Sequence, residues 1–425
     1  MPREIGFLLF RIVLPTLLLA IQFILYVKAR NWAREKFPQR RWTQLLLAAL
    51  FIVFNAALLY VVIVRPRPGE YSTWFLFLAA YPFFIWHGAT LFIGIAVLIS
   101  MLIKLPFQII GAGVKLFKPV KTKIETLQAQ PSYQRFDASR RTFIRRGMYS
   151  LTAASFGASA YGMFIGKKEH EITEALFPIR NLPHQLHGFT IALVSDLHSS
   201  INMLKDEMEE YVKIVNSLQC DLILVTGDFV NSLTEEVYPF AEAFSNLSAP
   251  HGVYGVMGNH DFFAPQPEVV AKEVDACGVK LLRNDNVLIT KNSGSLYLVG
   301  IDDVGTAKRA EEKIDVALGS APLNIPKLLM MHRPYFLQQA SDKNIDLVLS
   351  GHTHGGQVVL AKIGNTTISP ASLASKYIWG KYSIGNTQMY VNRGIGTVGL
   401  PIRLNCPPEI TKITLIPATS TKSHA

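Results

Sequence analysis

Five short polar motifs follow one another through the second half of this 425-residue chain, and their residue types are those that bind metal ions. They supply carboxylate, imidazole and amide groups, and none of them contains cysteine. Mixed oxygen and nitrogen ligands of this kind suit Mn, Fe or Zn. The motifs are Asp196-Leu197-His198, Gly227-Asp228-Phe229-Val230-Asn231, Gly258-Asn259-His260-Asp261, His332 and Gly351-His352-Thr353-His354.

The spacing within these motifs predicts that their side chains converge. In Asp-x-His and His-x-His, residues i and i+2 share one side of a strand-end turn. A carboxylate shared by two ions holds them roughly 3.5–4 Å apart, and such a pair activates a water molecule and neutralises phosphoryl oxygens. The motifs therefore predict a hydrolytic site with two divalent metal ions.

Each motif follows a run of residues typical of a buried strand. α/β sheets place ligand sites at the carboxyl ends of such strands. Helical patterns alternate with the first strands and the end of the chain is β-rich, which predicts an α/β domain with a mixed sheet, or two sheets, flanked by helices. Strands are expected at 189–194, 222–226, 253–257, 279–281, 287–290, 296–300, 328–331, 346–350, 357–360, 388–391 and 410–416, and helices at 204–218, 235–246, 267–276, 311–318 and 334–341.

In this order the motifs resemble the calcineurin-like metallophosphoesterase superfamily, whose pattern is D-x-H, G-D, G-N-H-[DE], H and G-H-x-H. The match covers about residues 185–417. Segments 300–303, 392–397, 401–403 and 408–410 resemble its membrane-anchored bacterial phosphohydrolase branch. The resemblance implies a two-sheet α/β/β/α sandwich and a binuclear metal-dependent phosphoric ester hydrolase.

The resemblance also implies roles for individual residues. His260 would donate a proton to the leaving oxygen, and Asp261 would orient it through a hydrogen bond. The family often has Asp where this chain has Asn231, which weakens a charge-based role there but leaves the bridging carboxylate intact. Asp196, His198 and His354 would bind the first metal, Asn259, His332 and His352 the second, and Asp228 would bridge the two.

Several charged residues near the motifs leave two interpretations open. Arg333 could contact a substrate phosphate or form a surface salt bridge. Asp302 and Asp303 fit a loop-anchoring role better than a ligand role. Arg393 and Arg403 could frame the mouth of the site, although this is the less favoured interpretation.

The first 180 residues have the composition of a membrane segment. They contain 23 Lys and Arg against 8 Asp and Glu, whereas residues 181–425 contain 19 against 23. The pI of about 9.4 therefore reflects the membrane part, and no nucleic-acid partner is expected. A hydrocarbon core of ~30 Å requires ~20 apolar residues. Three spans are predicted at 5–27, 43–64 and 73–103, and a weaker fourth, which could instead be an amphipathic surface segment, at 149–166.

The basic loops predict the orientation of these spans. Lys and Arg accumulate after the first and third spans, so both loops are expected in the cytoplasm, and the fourth span would place all that follows outside. Two crossings within 73–103 would put the most basic loop outside, so one long or tilted span is favoured. A twin-arginine export signal is resembled by the segment Ser139-Arg140-Arg141-Thr142-Phe143-Ile144-Arg145. Because the signal is internal, it is expected to remain in the protein as a membrane anchor. The alternative is that the Arg-Arg pair occurs there by chance.

The predicted organisation follows from these boundaries. Cys220, Cys277 and Cys406 form no Cys-x-x-Cys pair, so neither a thiolate metal site nor a disulfide framework is expected. The chain is expected to comprise three transmembrane helices in 1–104, a basic cytoplasmic loop in 105–148, a span or anchor in 149–166, the metallophosphoesterase domain in 181–417 and a disordered tail in 418–425.

The leading functional prediction is a membrane-anchored phosphodiesterase or pyrophosphohydrolase that acts outside the cytoplasm on cell-envelope or lipid-linked phosphate esters. Some membrane-associated members of the superfamily split the pyrophosphate of UDP-2,3-diacylglucosamine. That substrate is cytoplasmic, so only a reversed orientation would favour it. A catalytically silent binding or sensor module coupled to the membrane helices is a different possibility, and the presence of Asp228, Asn259 and His260 argues against it.

Overall fold

The computed structural model describes residues 3–64, 72–114, 117–363 and 366–418. It divides into two compact units, a helical unit that ends at Tyr161 and a sandwich unit that begins at Gly162. The loop predicted between the second and third spans, except Ser72, and the predicted tail from residue 419 onward lie outside the described residues.

In the described part of the helical unit, two helices are long and apolar enough to cross a membrane, judged by length and composition. They are Arg41–Tyr60 and Leu76–Val114, and they correspond to the second and third predicted spans. The first predicted span lies in a helix whose first side chains, residues 3–11, lie outside the described part, and the fourth lies in a less apolar helix. The helices are α1 Arg3–Lys36, α2 Arg41–Val64, α3 Thr73–Phe75, α4 Tyr81–Val114, α5 Lys118–Ala129 and α6 Pro131–Phe164, with a π-helical turn at Leu76–Ala80 between α3 and α4.

Two six-stranded mixed sheets form the sandwich unit. The first has the order β1-β14-β2-β3-β4-β5 and the second the order β12-β13-β9-β8-β7-β6, while β10 and β11 form a separate hairpin. The strands are β1 Glu171–Ile179, β2 Thr190–Val194, β3 Leu222–Val225, β4 Val253–Gly255, β5 Lys280–Leu281, β6 Asp285–Lys291, β7 Gly294–Ile301, β8 Lys327–Met331, β9 Leu347–Ser350, β10 Ala361–Ile363, β11 Thr366–Ile368, β12 Gly380–Ile384, β13 Thr387–Val391 and β14 Glu409–Pro417.

The strands that precede the motifs are buried and parallel, as their apolar runs predicted. β2, β3, β4 and β5 are parallel neighbours, and so are β13, β9, β8 and β7. Leu193 and Leu224 of the first sheet share one apolar core with Met330 and Leu349 of the second. This core is the layer between the sheets.

Helices cover the outer face of each sheet, so the α/β/β/α sandwich predicted from the sequence is confirmed. Met208 of α7 and Phe240 of α8 pack against the first sheet, and Ile314 of α11 packs against the second. The helices are α7 Lys205–Ser217, α8 Val237–Phe244, α9 Asn259–Phe263, α10 Pro267–Ala276, α11 Ala307–Leu318 and α12 Leu337–Asp342, with 3-10 turns at His184–Leu186, Thr234–Glu236, Pro334–Phe336, His354–Gly356 and Pro370–Leu373.

The predicted strand at 357–360 is wrong. Val358 forms only an isolated bridge to Leu404, because the 3-10 turn at His354–Gly356 leads directly into this segment. Pairing begins one residue later, in the β10–β11 hairpin. The first sheet also includes β1, which lies before residue 181 and pairs in parallel with β14.

Candidate metal centre

The loops after β2, β3, β4, β8 and β9 bring the five motifs together. Residues from both sheets contribute, since His198 follows a strand of the first sheet and His354 a strand of the second. Among the described residues, histidine and aspartate side chains form three overlapping groups, in each of which one ligand atom per residue lies within 4.8 Å of the others. The groups are Asp196, His198 and His354; His198, Asp228 and His260; and Asp228, His332 and His352.

The first group has its ring nitrogens directed at one another. His198 Nε2 lies 3.0 Å from His354 Nε2. Asp196 Oδ1 lies 3.5 Å from His354 Nε2 and 4.0 Å from His198 Nε2. This arrangement gathers one carboxylate oxygen and two imidazole nitrogens around one point.

Asp228 belongs to the other two groups at once. Its Oδ2 lies 3.1 Å from His332 Nε2 and 3.5 Å from His198 Nε2. His332 Nε2 in turn lies 3.2 Å from His352 Nδ1. One carboxylate oxygen of Asp228 therefore faces both His198 and His332, which the family resemblance assigns to different metal ions.

The donor set fits divalent metal ions. The side-chain oxygen of Asn259 is buried and has no hydrogen-bond partner among the described residues, a costly state for a polar atom unless a further group binds it. Closely facing imidazole nitrogens are favourable when they share a cation. Oxygen and nitrogen ligands without thiolate are those of Mn, Fe and Zn sites.

Burial sets the protonation of most of the histidines. It lowers the pKa of His354 to about 4 and holds the pKa of His198 and His352 well below the ordinary value, so these rings are neutral, as metal ligation requires. Burial also lowers the pKa of His332, but the Asp228 carboxylate outweighs it and raises this pKa to about 10. A metal at His332 would therefore displace a proton.

Five of the candidate ligands have left-handed backbone conformations. Asp196, His198, Asp228, His352 and His354 all have φ between 49° and 72°. A non-glycine residue in this region costs about 1–3 kcal/mol, and such residues cluster at functional sites. The two side chains of Asp196-x-His198 project in one direction because the backbone turns sharply at both residues, and the same holds for His352-x-His354. The spacing of the residues alone did not predict these turns.

Backbone carbonyls and N–H groups orient several ligands. His332 Nδ1 donates to Thr226 O at 2.7 Å, which turns Nε2 toward Asp228. The Asp196 carboxylate accepts the hydroxyl of Ser195 at 2.6 Å and the N–H of His352. Ser195 and Thr226 were not predicted from the sequence, where each is marked only as a polar residue at the end of an apolar strand.

His260 is held by Asn231. Its Nδ1 donates to the Asn231 carbonyl at 2.5 Å, and its backbone N–H donates to Asp228 Oδ1 at 2.8 Å. Because a main-chain carbonyl provides the contact, Asn in place of the common Asp preserves it. This explains why the one departure from the family pattern leaves the His260 ring oriented.

The predicted hydrogen bond from Asp261 to His260 is wrong. The Asp261 carboxylate instead accepts the backbone N–H groups of Asp228, Val230 and Gly258, at 3.0, 3.1 and 2.8 Å. Its side chain turns toward the loop that carries Asp228, because the N–H groups of Asp228 and Val230 need acceptors there, and it also caps its own helix through Gly258.

The charged residues near the motifs have structural partners. Arg333 Nε donates to Asp303 at 2.8 Å, and Arg283 pairs with Asp302, as the loop-anchoring interpretation predicted. Arg403 is fully buried and donates to four backbone carbonyls, so it does not frame the mouth, in line with the favoured interpretation.

Arg393 is buried in the same region. Its guanidinium pairs with Glu171 of β1 and Glu409 of β14. It therefore stabilises the edge of the first sheet and does not frame the mouth.

Comparison with known proteins agrees with this geometry. The model of the calcineurin-like phosphoesterase family matches residues 189–356. YkuE, an uncharacterized metallophosphoesterase of Bacillus subtilis, is 30% identical over 294 residues, which cover 65% of this chain and 97% of YkuE. Phosphodiesterase YaeI of Escherichia coli is 27% identical and covers 54% of this chain and 82% of its own length. A transmembrane protein with metallophosphoesterase domain from Danio rerio is 28% identical, with 60% of each chain covered. The chain therefore belongs to the calcineurin-like phosphoesterase family and is a metal-dependent phosphoesterase.

Proposed function

We propose that this protein is a membrane-anchored phosphodiesterase or pyrophosphohydrolase that uses two divalent metal ions. The observation that carries the proposal is the position of Asp228, whose Oδ2 faces His198 on one side and His332 on the other. A carboxylate between two sets of nitrogen ligands is suited to bridge two ions.

The residues divide into ligands and a proton donor. Bound there, two divalent ions would activate a water molecule and neutralise phosphoryl oxygens. His260 keeps its Nδ1 proton on the Asn231 carbonyl, which leaves Nε2 to protonate the leaving oxygen. Asp196, His198 and His354 would hold one ion, Asn259, His332 and His352 the other, and Asp228 both; Mn, Zn and Fe all suit this set.

Activity is tested with the full chain in detergent, stripped of metal and reloaded with Mn or Zn. We expect turnover of bis-p-nitrophenyl phosphate that depends on metal and is lost in Asp228→Asn. Asp285→Asn, at an exposed aspartate, is the matched control and should retain it. A stable protein that binds metal but hydrolyses no phosphate ester would favour the silent binding or sensor module instead.

Membrane anchoring is supported by two helices of suitable length and composition and by a relative that is named a transmembrane protein. The basic segments that flank the predicted spans favour a cytoplasmic side for residues 105–148 and an extracytoplasmic sandwich unit. Export through the twin-arginine machinery would use Arg140 and Arg141, both of which pair with Asp137 on α6. Envelope phosphate esters, including lipid-linked ones, are then the accessible substrates.

Orientation is tested by labelling intact cells with a membrane-impermeant maleimide. Leu323→Cys places a thiol at a position that is 82% exposed on the sandwich unit, in a Cys277→Ser background because Cys277 is partly exposed whereas Cys220 and Cys406 are buried. The Cys277→Ser chain without the added cysteine is the control. Labelling without permeabilisation is expected. Labelling only after permeabilisation would reverse the orientation and favour UDP-2,3-diacylglucosamine, which is then assayed directly. Arg140→Lys with Arg141→Lys should block labelling if the export signal is used.

A further inference from the structure

The β10–β11 hairpin turns an apolar face to solvent. Its antiparallel register pairs Ala361 with Ile368 and Ile363 with Thr366, which places these four side chains on one face. All four are exposed, and Ile363 is 68% exposed. Clustered exposed apolar side chains on a folded domain mark an interaction surface.

Further exposed apolar and basic side chains lie beyond this face or on the other face of the hairpin, where Lys362 points because it alternates with Ala361 and Ile363. Leu360 precedes the hairpin, and Leu373, which is 94% exposed, lies in the 3-10 turn that follows it. Lys362 and Lys376 are exposed, and the Lys362 ammonium lies 4.5 Å from the centre of the Trp379 ring. We call Leu360, Lys362, Ile363, Ile368, Leu373 and Lys376 the hairpin surface.

The charge of this region differs from that of the rest of the sandwich unit. Residues 347–408 include five Lys and Arg and no Asp or Glu, although residues 181–425 as a whole have an excess of acidic residues. The hairpin surface is therefore apolar and locally cationic. This is the composition of segments that enter a membrane interface, where the apolar groups reach the acyl boundary and the lysines bind anionic headgroups.

The segment that bears the hairpin surface is joined to the metal centre at both ends. Thr353, between the ligands His352 and His354, donates its hydroxyl to Ile378 O at 2.5 Å. Gly356 lies so close to Ser369 that a Cβ there would fall 2.4 Å from the serine oxygen. The position of the hairpin is thus set by the same loop that carries two metal ligands.

We propose that the hairpin surface inserts into the interface of a lipid bilayer that contains anionic lipids and so presents the metal centre to phosphate esters carried by lipids. The inference rests on the membrane anchoring proposed above. A lipid surface is favoured over a protein partner because the same chain has helices suited to a membrane and because the exposed groups combine aliphatic tips with lysines.

The test uses the full chain in nanodiscs of equimolar phosphatidylcholine and phosphatidylglycerol that carry a clickable lipid. A photocrosslinking benzoylphenylalanine replaces Ile363 or Leu373 in the hairpin surface. The same group replaces Leu323, an exposed leucine elsewhere on the sandwich unit, and Leu102, an exposed leucine of α4. We expect lipid adducts at 363, 373 and 102 and none at 323. In phosphatidylcholine alone, adducts at 363 and 373 should fall several-fold while those at 102 persist.

Each outcome bears on one of the two proposals. Adducts at 102 without adducts at 363 and 373 would overturn the inference and leave the anchoring intact. Adducts at 323 as abundant as those at 363 would also overturn the inference, since lipid contact would then be unspecific. No adduct at 102 would overturn the anchoring, and the inference with it.

Discussion

The carboxylate of Asp261 accepts the backbone N–H of Asp228 at 3.0 Å, although the two residues are 33 positions apart. Asp261 therefore braces the loop that carries Asp228, and it also accepts the N–H groups of Val230 and Gly258. We expect Asp261 to influence catalysis through the position of Asp228.

Asp261→Asn should accordingly weaken metal binding. The amide replaces one acceptor oxygen with a donor and leaves at least one buried N–H unpaired, which costs about 1–3 kcal/mol. We expect a lower melting temperature and an affinity for metal lowered by about 10–100-fold, as for other residues that orient ligands. Calorimetric titration of the metal-stripped chain measures this. Unchanged metal affinity with a shifted pH profile of kcat would instead restore a direct role on His260.

His260→Gln should lower kcat and leave the metal content unchanged. General acid catalysis contributes about 10²–10⁴-fold, so a loss of this size is expected on bis-p-nitrophenyl phosphate. His187→Gln, at an exposed histidine, is the control. Because a ring nitrogen of His260 also lies near His198 and Asp228, loss of one metal equivalent in the variant would identify it as a ligand.

Gly258→Ala should disrupt the centre. A Cβ at this position would lie 2.2 Å from Asp228 Oδ1 and 2.5 Å from Asp228 N, so Asp228 must move. Overpacking of this kind costs about 1–3 kcal/mol, and we expect loss of both activity and metal. Gly305→Ala, where no atom lies within 4 Å of the added Cβ, should be neutral. Full activity in Gly258→Ala would contradict the close approach of the two loops.

Glu236 should make the sandwich unit less stable at high pH. Burial raises its pKa from 4.5 to about 7, even though its Oε2 accepts the N–H groups of Asn231, Ser232 and Leu233. The folded state thus binds the proton more tightly than the unfolded chain. The resulting stability is fully present below pH 4.5 and is lost as the pH rises through about 7.

Glu236→Gln removes this ionisation. At 1.36 kcal/mol per pH unit, the raised pKa corresponds to about 3 kcal/mol at most. We expect the variant to lose less stability than the wild-type chain between pH 5 and pH 9, measured by denaturant unfolding at each pH. Parallel pH profiles of the two proteins would show that Glu236 ionises freely in the folded state.

The strands that carry the motifs were predictable because burial on both faces leaves a local signature, an unbroken apolar run that ends at a polar residue. β2, β3, β8 and β9 agree with their predicted ranges to within one or two residues. β1 and β12 were missed because both are edge strands without an unbroken apolar run: β1 begins with exposed residues, and no residue of β12 is buried.

The sequence by itself determined the fold class, the family and the set of candidate ligands, since each depends on residue types and short spacings. Tertiary structure decided which groups meet. His198 and His354 are 156 positions apart yet their ring nitrogens face each other at 3.0 Å, and a main-chain carbonyl, that of Asn231, orients His260. Asp261 and Arg403 have partners that no spacing indicates. Buried donors and charged groups bond to the acceptors that the packed chain places near them. Those acceptors are largely backbone atoms, whose positions cannot be read from the order of the side chains.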